Sequence, residues 1–283
     1  MKFTIFGRGG FIGRNLSRYL EGRGHKVWIP SRAAEETRGQ DLGHVIYAIG
    51  LTGDFRSRPF DTVEAHVCKL LDLLMFSRFD SWLYLSSTRI YGGLPLTEVA
   101  REDTVLNVSP NLDGVYNISK LMGEALCLAL PNKNIRVVRL ANVYGSGQSK
   151  HTFLASIVDE LVQTGKAVIR EAPESEKDYI ALTDVLPLLE AIALSGRERL
   201  YNVASGKAVT HAEFANKLIQ LTGRSIQFEE NAPCRRFPLI DISRIQIEFD
   251  FVASGIDDNL PALIATNEHN RKKGGSQIEQ ERT

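Results

Sequence analysis

Three cysteines are present in 283 residues, Cys68, Cys127 and Cys234. Odd in number and without metal-ligand spacing, they exclude a disulfide framework and a zinc site and point to a reducing, cytoplasmic setting. Six histidines (His25, His44, His66, His151, His211 and His269) also lack metal spacing and read as surface or capping residues, so no metal is expected. Charge of one sign is missing too: 34 Lys+Arg against 34 Asp+Glu give a formal charge of zero. No global field then draws the chain onto nucleic acid or anionic lipid, which favours a small-molecule partner. No apolar run approaches the ~20 residues of a membrane span, and Met1 leads into a strand pattern without a basic and apolar leader. No repeat of fixed period is found. With 43% apolar and 24% charged residues the balance is that of a globular chain. The exception is Asn267 to Thr283, which holds one aliphatic residue and is expected to be a disordered tail.

What is present is an alternation of strands and helices. Lys2 to Phe6 is a strand, Gly7 opens a turn, and Phe11 to Leu20 has helical spacing. Val27 to Ile29 and Val45 to Ile49 are strands separated by only thirteen residues, Ser31 to Gly43, too few for a full crossover helix. Thr62 to Met75 and Tyr116 to Leu130 read as helices, and Trp82 to Leu85 and Ile135 to Leu140 as strands. This order predicts an α/β fold with a doubly wound, Rossmann-like parallel sheet. Residues 1–145, with 184–204 returning to them, are expected to form the nucleotide-binding domain. Residues 146–183 and 205–266 are expected to form a smaller substrate-binding lobe.

Gly7, Gly10 and Gly13 in GRGGFIG lie between the first strand and the first helix, where backbone amides and a helix dipole hold a pyrophosphate. Gly7, Arg8, Gly10, Phe11, Ile12 and Gly13 are therefore candidate cofactor residues. Such folds place an acid at the tip of the second strand to hold ribose hydroxyls, or an arginine to accept a 2'-phosphate. Here the tip reads Pro30-Ser31-Arg32, which favours NADP, with NAD as the alternative. Tyr116 and Lys120 stand one helical turn apart, where an ammonium can stabilise phenolate and bring the tyrosine closer to neutral pH for proton exchange with a carbonyl or alcohol. The strand WLYL ends in Ser86-Ser87-Thr88, hydroxyls at a carboxyl edge that opens onto the crevice.

Together these segments resemble the extended short-chain dehydrogenase/reductase family, in its nucleotide-sugar epimerase, dehydratase and reductase branch. GRGGFIG is similar to its glycine motif, Asp41-Leu42 to its adenine-contacting pair, SSTRIYG to its catalytic-serine segment and YNISK to its active-site helix. RLANVYG, KDYIALTDV and YNVASGKAVTHAEFA follow in the family's order. The resemblance implies Tyr116 as acid/base, Lys120 as its cation and ribose partner, and Ser87 as the catalytic hydroxyl. It also implies Asp41 and Leu42 beside adenine, Asn142 at the substrate and Arg170 on a phosphate or base. A homodimer through a four-helix bundle is implied as well.

Three departures narrow the chemistry. Dehydratases of this branch follow the catalytic hydroxyl with an acidic pair, whereas this chain has Thr88 and Arg89, candidate substrate contacts that cannot serve as carboxyl acid and base. The thirteen-residue link replaces a helix and a third strand, so the adenine side is shortened. Ala181 and Leu182 stand where the family often has His-Val. The expected activity is NADPH-dependent reduction of a keto group, at C4, on a nucleotide-activated deoxysugar. The alternatives are an NAD-dependent 4-epimerase and, in another class, a non-catalytic NADP sensor.

Overall fold

A computed structural model describes residues 1–31, 34–149 and 152–280. In chain order, β1 (Lys2–Phe6), α1 (Phe11–Gly22) and β2 (Lys26–Trp28) lead through a 3-10 turn (Ala34–Thr37) to β3 (His44–Tyr47). Next, α2 (Pro59–Val63) passes through one wide π turn (Glu64–Cys68) into α3 (Lys69–Phe76). Then come β4 (Ser81–Ser87), a 3-10 turn (Thr88–Gly93), β5 (Val99–Ala100), α4 (Gly114–Ala129) and β6 (Ile135–Leu140). The chain continues with β7 (Asn142–Tyr144), α5 (Phe153–Thr164), β8 (Lys166–Ile169), β9 (Glu176–Ala181), α6 (Leu182–Ser195) and β10 (Leu200–Val203). It closes with β11 (Ala208–Thr210), α7 (His211–Thr222), β12 (Ser225–Phe228), β13 (Leu239–Ile240), α8 (Ser243–Phe249) and α9 (Ile256–Gln280).

Six strands form one parallel sheet in the order β10-β6-β4-β3-β1-β2. Successive side chains alternate between its faces. Phe3, Ile5, Ile46, Leu83 and Leu85 pack with α1 and α6, while Phe6, Val45, Tyr47, Trp82 and Tyr84 pack with α3 and α4. Both faces are covered, which is why these strands read as continuous apolar runs.

The short link acts as expected on topology. From β2, at the edge, the chain returns past β1 to place β3 on its other side, so the strand order reverses between β1 and β3. Ligands of such sheets bind at that reversal, outside the carboxyl ends of the strands. Asp41 and Leu42 are not there. Asp41 bridges Arg78, its carbonyl accepts from Lys2 Nζ, and the Leu42 carbonyl accepts from Thr4 Oγ1 at 2.6 Å. Residues just before a strand sit at its amino end, and in a parallel sheet that is the edge remote from the cofactor. The adenine contact implied for Asp41 and Leu42 is therefore corrected; Leu42 is fully buried core.

A second apolar cluster joins Tyr144, α5, β8, β9, α7 and the first turns of α9. Its strands form the smaller sheets β11-β9-β7 and β12-β8. Helix α9 runs on to Gln280, across the segment whose composition predicts disorder. Tertiary polar contacts hold that stretch, with Arg224 to Glu268 at 2.9 Å and Arg271 Nη1 donating to the Val162 carbonyl at 2.5 Å.

Candidate active site

Around Gly7 the backbone approaches itself so closely that side chains are excluded. Gly7 has φ +97°, a Cβ there would lie 2.5 Å from the Ala48 carbonyl oxygen, and one on Gly13 would lie 2.4 Å from that of Gly7. The Gly10 amide donates to the Gly7 carbonyl at 3.0 Å, and α1 starts immediately afterwards with no side-chain cap and no acid in its first turn. Its leading amides and positive dipole end thus suit a pyrophosphate. Gly10, Phe11 and Ile12 line the cleft, whereas Gly7 and Gly13 build the turn beneath it. Arg8 is exposed on that turn.

The tip of β2 differs from its sequence reading. Ser31 donates to the Glu36 carboxylate from its hydroxyl at 2.5 Å and from its amide at 3.0 Å, holding that carboxyl below its usual range. An acid stands at this tip after all, supplied by the turn that follows rather than by the strand. Arg32, expected on a 2'-phosphate, lies outside the described residues.

Beyond the glycine turn the cleft opens into a cavity of about 550 Å³, floored by Ala48 to Gly50 and Leu85 to Arg89 and walled by Tyr116 and Lys120. Tyr116, Lys120 and Glu124 form the buried stripe of α4. Its base is fixed by a buried ion pair, Arg139 Nη2 to Glu124 Oε2 at 2.7 Å, with Ser86 Oγ donating to Glu124 Oε1 at 2.5 Å. Of the clustered hydroxyls, Ser86 is therefore structural and Thr88 donates to the Leu140 carbonyl at 3.3 Å. Ser87 Oγ accepts from the Arg89 amide at 3.2 Å, and its hydroxyl is close enough to the Tyr116 phenol to act against the rise of that group's pKa. The three predicted catalytic side chains, Ser87, Tyr116 and Lys120, are brought together.

Their electrostatics correct one expectation. Burial raises the Tyr116 phenol above its ordinary range, against the smaller lowering effects of Ser87 and Arg89. Lys120 donates to the Leu85 carbonyl at 2.8 Å, and burial brings its ammonium down to about 7, with Glu124 acting against that shift. Without ligand, Tyr116 is thus a held proton donor, because its desolvation outweighs the lowering effects of Ser87 and Arg89.

His66 and His211, read as surface residues, are fully buried. The π turn brings His66 inward, edge-on to Tyr116 with ring centroids 5.3 Å apart. Ser119 Oγ donates to the Tyr116 carbonyl at 3.0 Å, so His66 Nδ1 donates to Ser119 Oγ at 2.8 Å. That fixes the tautomer and leaves the Nε2 lone pair buried without a partner. Burial first, and Lys120 second, depress the imidazole to about 2, which keeps it neutral. Nε2 and Lys120 Nζ lie 3.2 and 3.3 Å from one point, the place of a Cβ on Gly50, so glycine there keeps a polar slot open between them.

The far wall comes mainly from segments that follow β6. Asn142 lines the cavity and donates to the Asp178 carbonyl at 2.8 Å. Thr88 and Arg89 line it too. Arg170 does not: β8 pairs with β12 and carries it past the cleft to the surface, 72% exposed and 4.0 Å from Glu229. Besides Arg89 and Lys120, the cations that reach the cavity are Lys177 and Arg235, both beside Glu171, at 2.9 and 3.8 Å. Phe153 stacks on His211 at 4.1 Å and lies under Lys177 at 4.5 Å. Arg235 and Phe237 sit in a loop whose sequence carries no periodic or motif signal.

A doubly wound sheet, a glycine turn at its first strand and a Ser-Tyr-Lys trio at the strand reversal define the class, a dinucleotide-fold enzyme of the tyrosine-lysine type. The profile of the NAD dependent epimerase/dehydratase family matches residues 40–204, and the chain belongs to that family. Among solved structures it is similar to RMD of Pseudomonas aeruginosa, solved with NADPH, at 22% identity and a TM-score of 0.81, covering 95% of this chain and 99% of that one. It is also similar to dTDP-glucose 4,6-dehydratase of Bacillus anthracis with NAD, at 20% identity and a TM-score of 0.80, over 96% and 98% of the chains. UDP-glucuronic acid 4-epimerase of Bacillus cereus matches at 17% identity and a TM-score of 0.79, over 95% and 99%. Comparison with curated protein sequences finds no match.

Proposed function

We propose that the protein is a cytoplasmic NADPH-dependent reductase of a keto group, at C4, on a nucleotide-activated deoxysugar. The observation that carries this reading is the Ser87-Tyr116-Lys120 trio at the cleft with Thr88 and Arg89, not carboxylates, beside it. Water elimination needs a carboxyl acid and base at those two places, and neither side chain can act so. The similarity to RMD solved with NADPH supports the same direction.

A bound nicotinamide would supply the hydride. Gly10, Phe11 and Ile12 present the amides and apolar surface for the dinucleotide, and Lys120, which donates one hydrogen bond to the Leu85 carbonyl, has N–H groups left for the ribose. Ser87 polarises the carbonyl while Tyr116, protonated by virtue of its burial, passes its proton to the developing alkoxide. Lys120 beside it then stabilises the phenolate until a proton returns.

A second reading, an NAD-retaining 4-epimerase, is favoured by one observation, the Glu36 carboxylate at the tip of β2. An acid there suits ribose hydroxyls and repels a 2'-phosphate. Titration of the purified protein with NADPH and NADH, and mass spectrometry for retained nicotinamide, separates the two. Exchangeable NADPH with turnover of 4-keto sugar nucleotides supports the reductase; retained NAD replaces it with the epimerase. We further propose a homodimer through a four-helix bundle, because Leu71, Met75, Ile118 and Met122 leave an apolar face exposed on α3 and α4. Sedimentation of wild type against Met122→Lys tests it, with a monomeric wild type overturning it.

A further inference from the structure

Among the described residues, the acids that line the cavity, Asp54 and Asp178, are committed, and so are Asp113 and Glu171 beside it. Asp113 is paired with Arg56, and Asp54 with Arg58 at 3.3 Å. Glu171 is shared by Lys177 and Arg235. Asp178 is enclosed by the Ser205 amide and hydroxyl at 2.8 and 3.0 Å and by the Gly206 amide at 2.8 Å. Arg89 has no carboxylate partner among the described residues. Its guanidinium is held between aromatic faces, 4.9 Å from the Phe55 ring and 5.7 Å from that of Tyr116, and its Nε is buried without a hydrogen bond. The amide bond to Ser87 Oγ anchors its backbone two residues from the catalytic hydroxyl.

A half-desolvated guanidinium without a carboxylate costs stability unless a ligand supplies one to its terminal nitrogens. Desolvation, with Arg56 and Arg235 close by, works against its charge more than Tyr116 and Asp113 favour it, and the guanidinium lines the cavity without a carboxylate partner among the described residues, so the partner it lacks is an anion. Its planar fork fits a carboxylate through two parallel hydrogen bonds. Its position beside Tyr116 fixes which part of a sugar it meets. When C4 reacts at the Tyr116 hydroxyl, its ring neighbours are C3 and C5, and of these C5 carries the exocyclic carbon C6, which can be a carboxylate, whereas the diphosphate leaves from C1 across the ring. We infer that Arg89 binds a C6 carboxylate, so that the sugar of the nucleotide-activated substrate is an acidic one. This rests on the nucleotide-sugar reading and specifies only the charge its sugar carries.

Calorimetric titration of the NADPH-loaded protein uses matched pairs, UDP-glucuronate with UDP-glucose and GDP-mannuronate with GDP-mannose, and bare UDP and GDP. In the pair that binds, the uronate is expected to bind at least about tenfold more tightly than its neutral partner, the scale of one charged hydrogen-bonded pair. Arg89→Met should erase that preference and Arg89→Lys should keep part of it, with NADPH binding reporting that both variants are folded. Equal binding of uronate and neutral sugar by wild type, or a preference that survives in Arg89→Met, overturns the inference while leaving the nucleotide-sugar reading intact. Loss of bare UDP or GDP binding in Arg89→Met to the same degree overturns it in favour of a phosphate contact. Failure of every nucleotide and sugar nucleotide to bind overturns both readings.

Discussion

Gly10, Phe11, Ile12 and Ala48 to Gly50 face the cleft with backbone amides and small or apolar groups, whereas Arg89, Phe153, Lys177, Arg235 and Phe237 face it with charge and aromatic surface. The first set comes from two turns at neighbouring strand ends. The second comes from segments far apart in sequence, brought together only when the second lobe packs. Recognition by backbone demands close approach, so it leaves glycines at fixed spacing. Recognition by side chains demands only that a charge end in the right place, so it leaves no spacing at all.

The largest expected effect separates chemistry from either half. Tyr116→Phe should lower kcat by roughly 10²–10⁴-fold, the contribution of a positioned general acid, while NADPH affinity, measured by nicotinamide fluorescence, stays close to that of wild type. Unchanged turnover would remove Tyr116 from the reaction. The support beneath both halves comes next. Arg139→Leu leaves Glu124 buried and unpaired and should cost about 3–5 kcal/mol in denaturant unfolding, with part recovered in the double variant Arg139→Leu/Glu124→Leu. A loss below about 1 kcal/mol would show that the pair does not bind α4 to β6.

Gly13→Ala should weaken the cofactor half alone, since its Cβ would meet the Gly7 carbonyl at 2.4 Å. About a tenfold or greater loss of dinucleotide affinity is expected, from backbone displaced at a helix N-terminus, with binding of UDP or GDP unaltered. Equal weakening of both ligands would mean that the halves are one coupled unit.

A smaller, pH-dependent effect comes from Lys120. Its ammonium falls from an ordinary 10.5 to about 7 in the folded chain, so between those values the unfolded chain binds more protons. Relative to Lys120→Met, wild-type stability should rise with pH above about 7, by at most ~1.4 kcal/mol per pH unit, and be flat below it. Melting temperatures across that range check the sign, and a flat difference would place the Lys120 ammonium in water. The smallest effect belongs to the β2 tip. Glu36→Gln should move the NADPH/NADH affinity ratio toward NADPH by a few-fold, the scale of one exposed charge, and no movement would take Glu36 away from the cofactor.

The strands and helices around the sheet were readable because apolar runs covered on both faces and helical spacing are local patterns. Ser87, Tyr116 and Lys120 were readable because one helical turn and one strand end position them. The Asp41-Leu42 assignment failed for a directional reason: with the link shortened, the pair comes just before β3, at the amino end of the sheet, instead of following a strand at the carboxyl end where the cofactor lies. Arg170 failed because a strand's partner decides where its last residue emerges. His66 was missed because an inserted π turn, absent from any periodicity, turns it into the core.

What the sequence by itself determined is the doubly wound sheet, the glycine turn and the Ser-Tyr-Lys trio, since each follows from steric and periodic rules acting within a few residues. Only the tertiary structure decided which acid stands at the β2 tip, which cations reach the cavity and that Arg89 has no carboxylate partner among the described residues. Charge compensation depends on every neighbour in space, and neighbours in space are set by packing rather than by position in the chain.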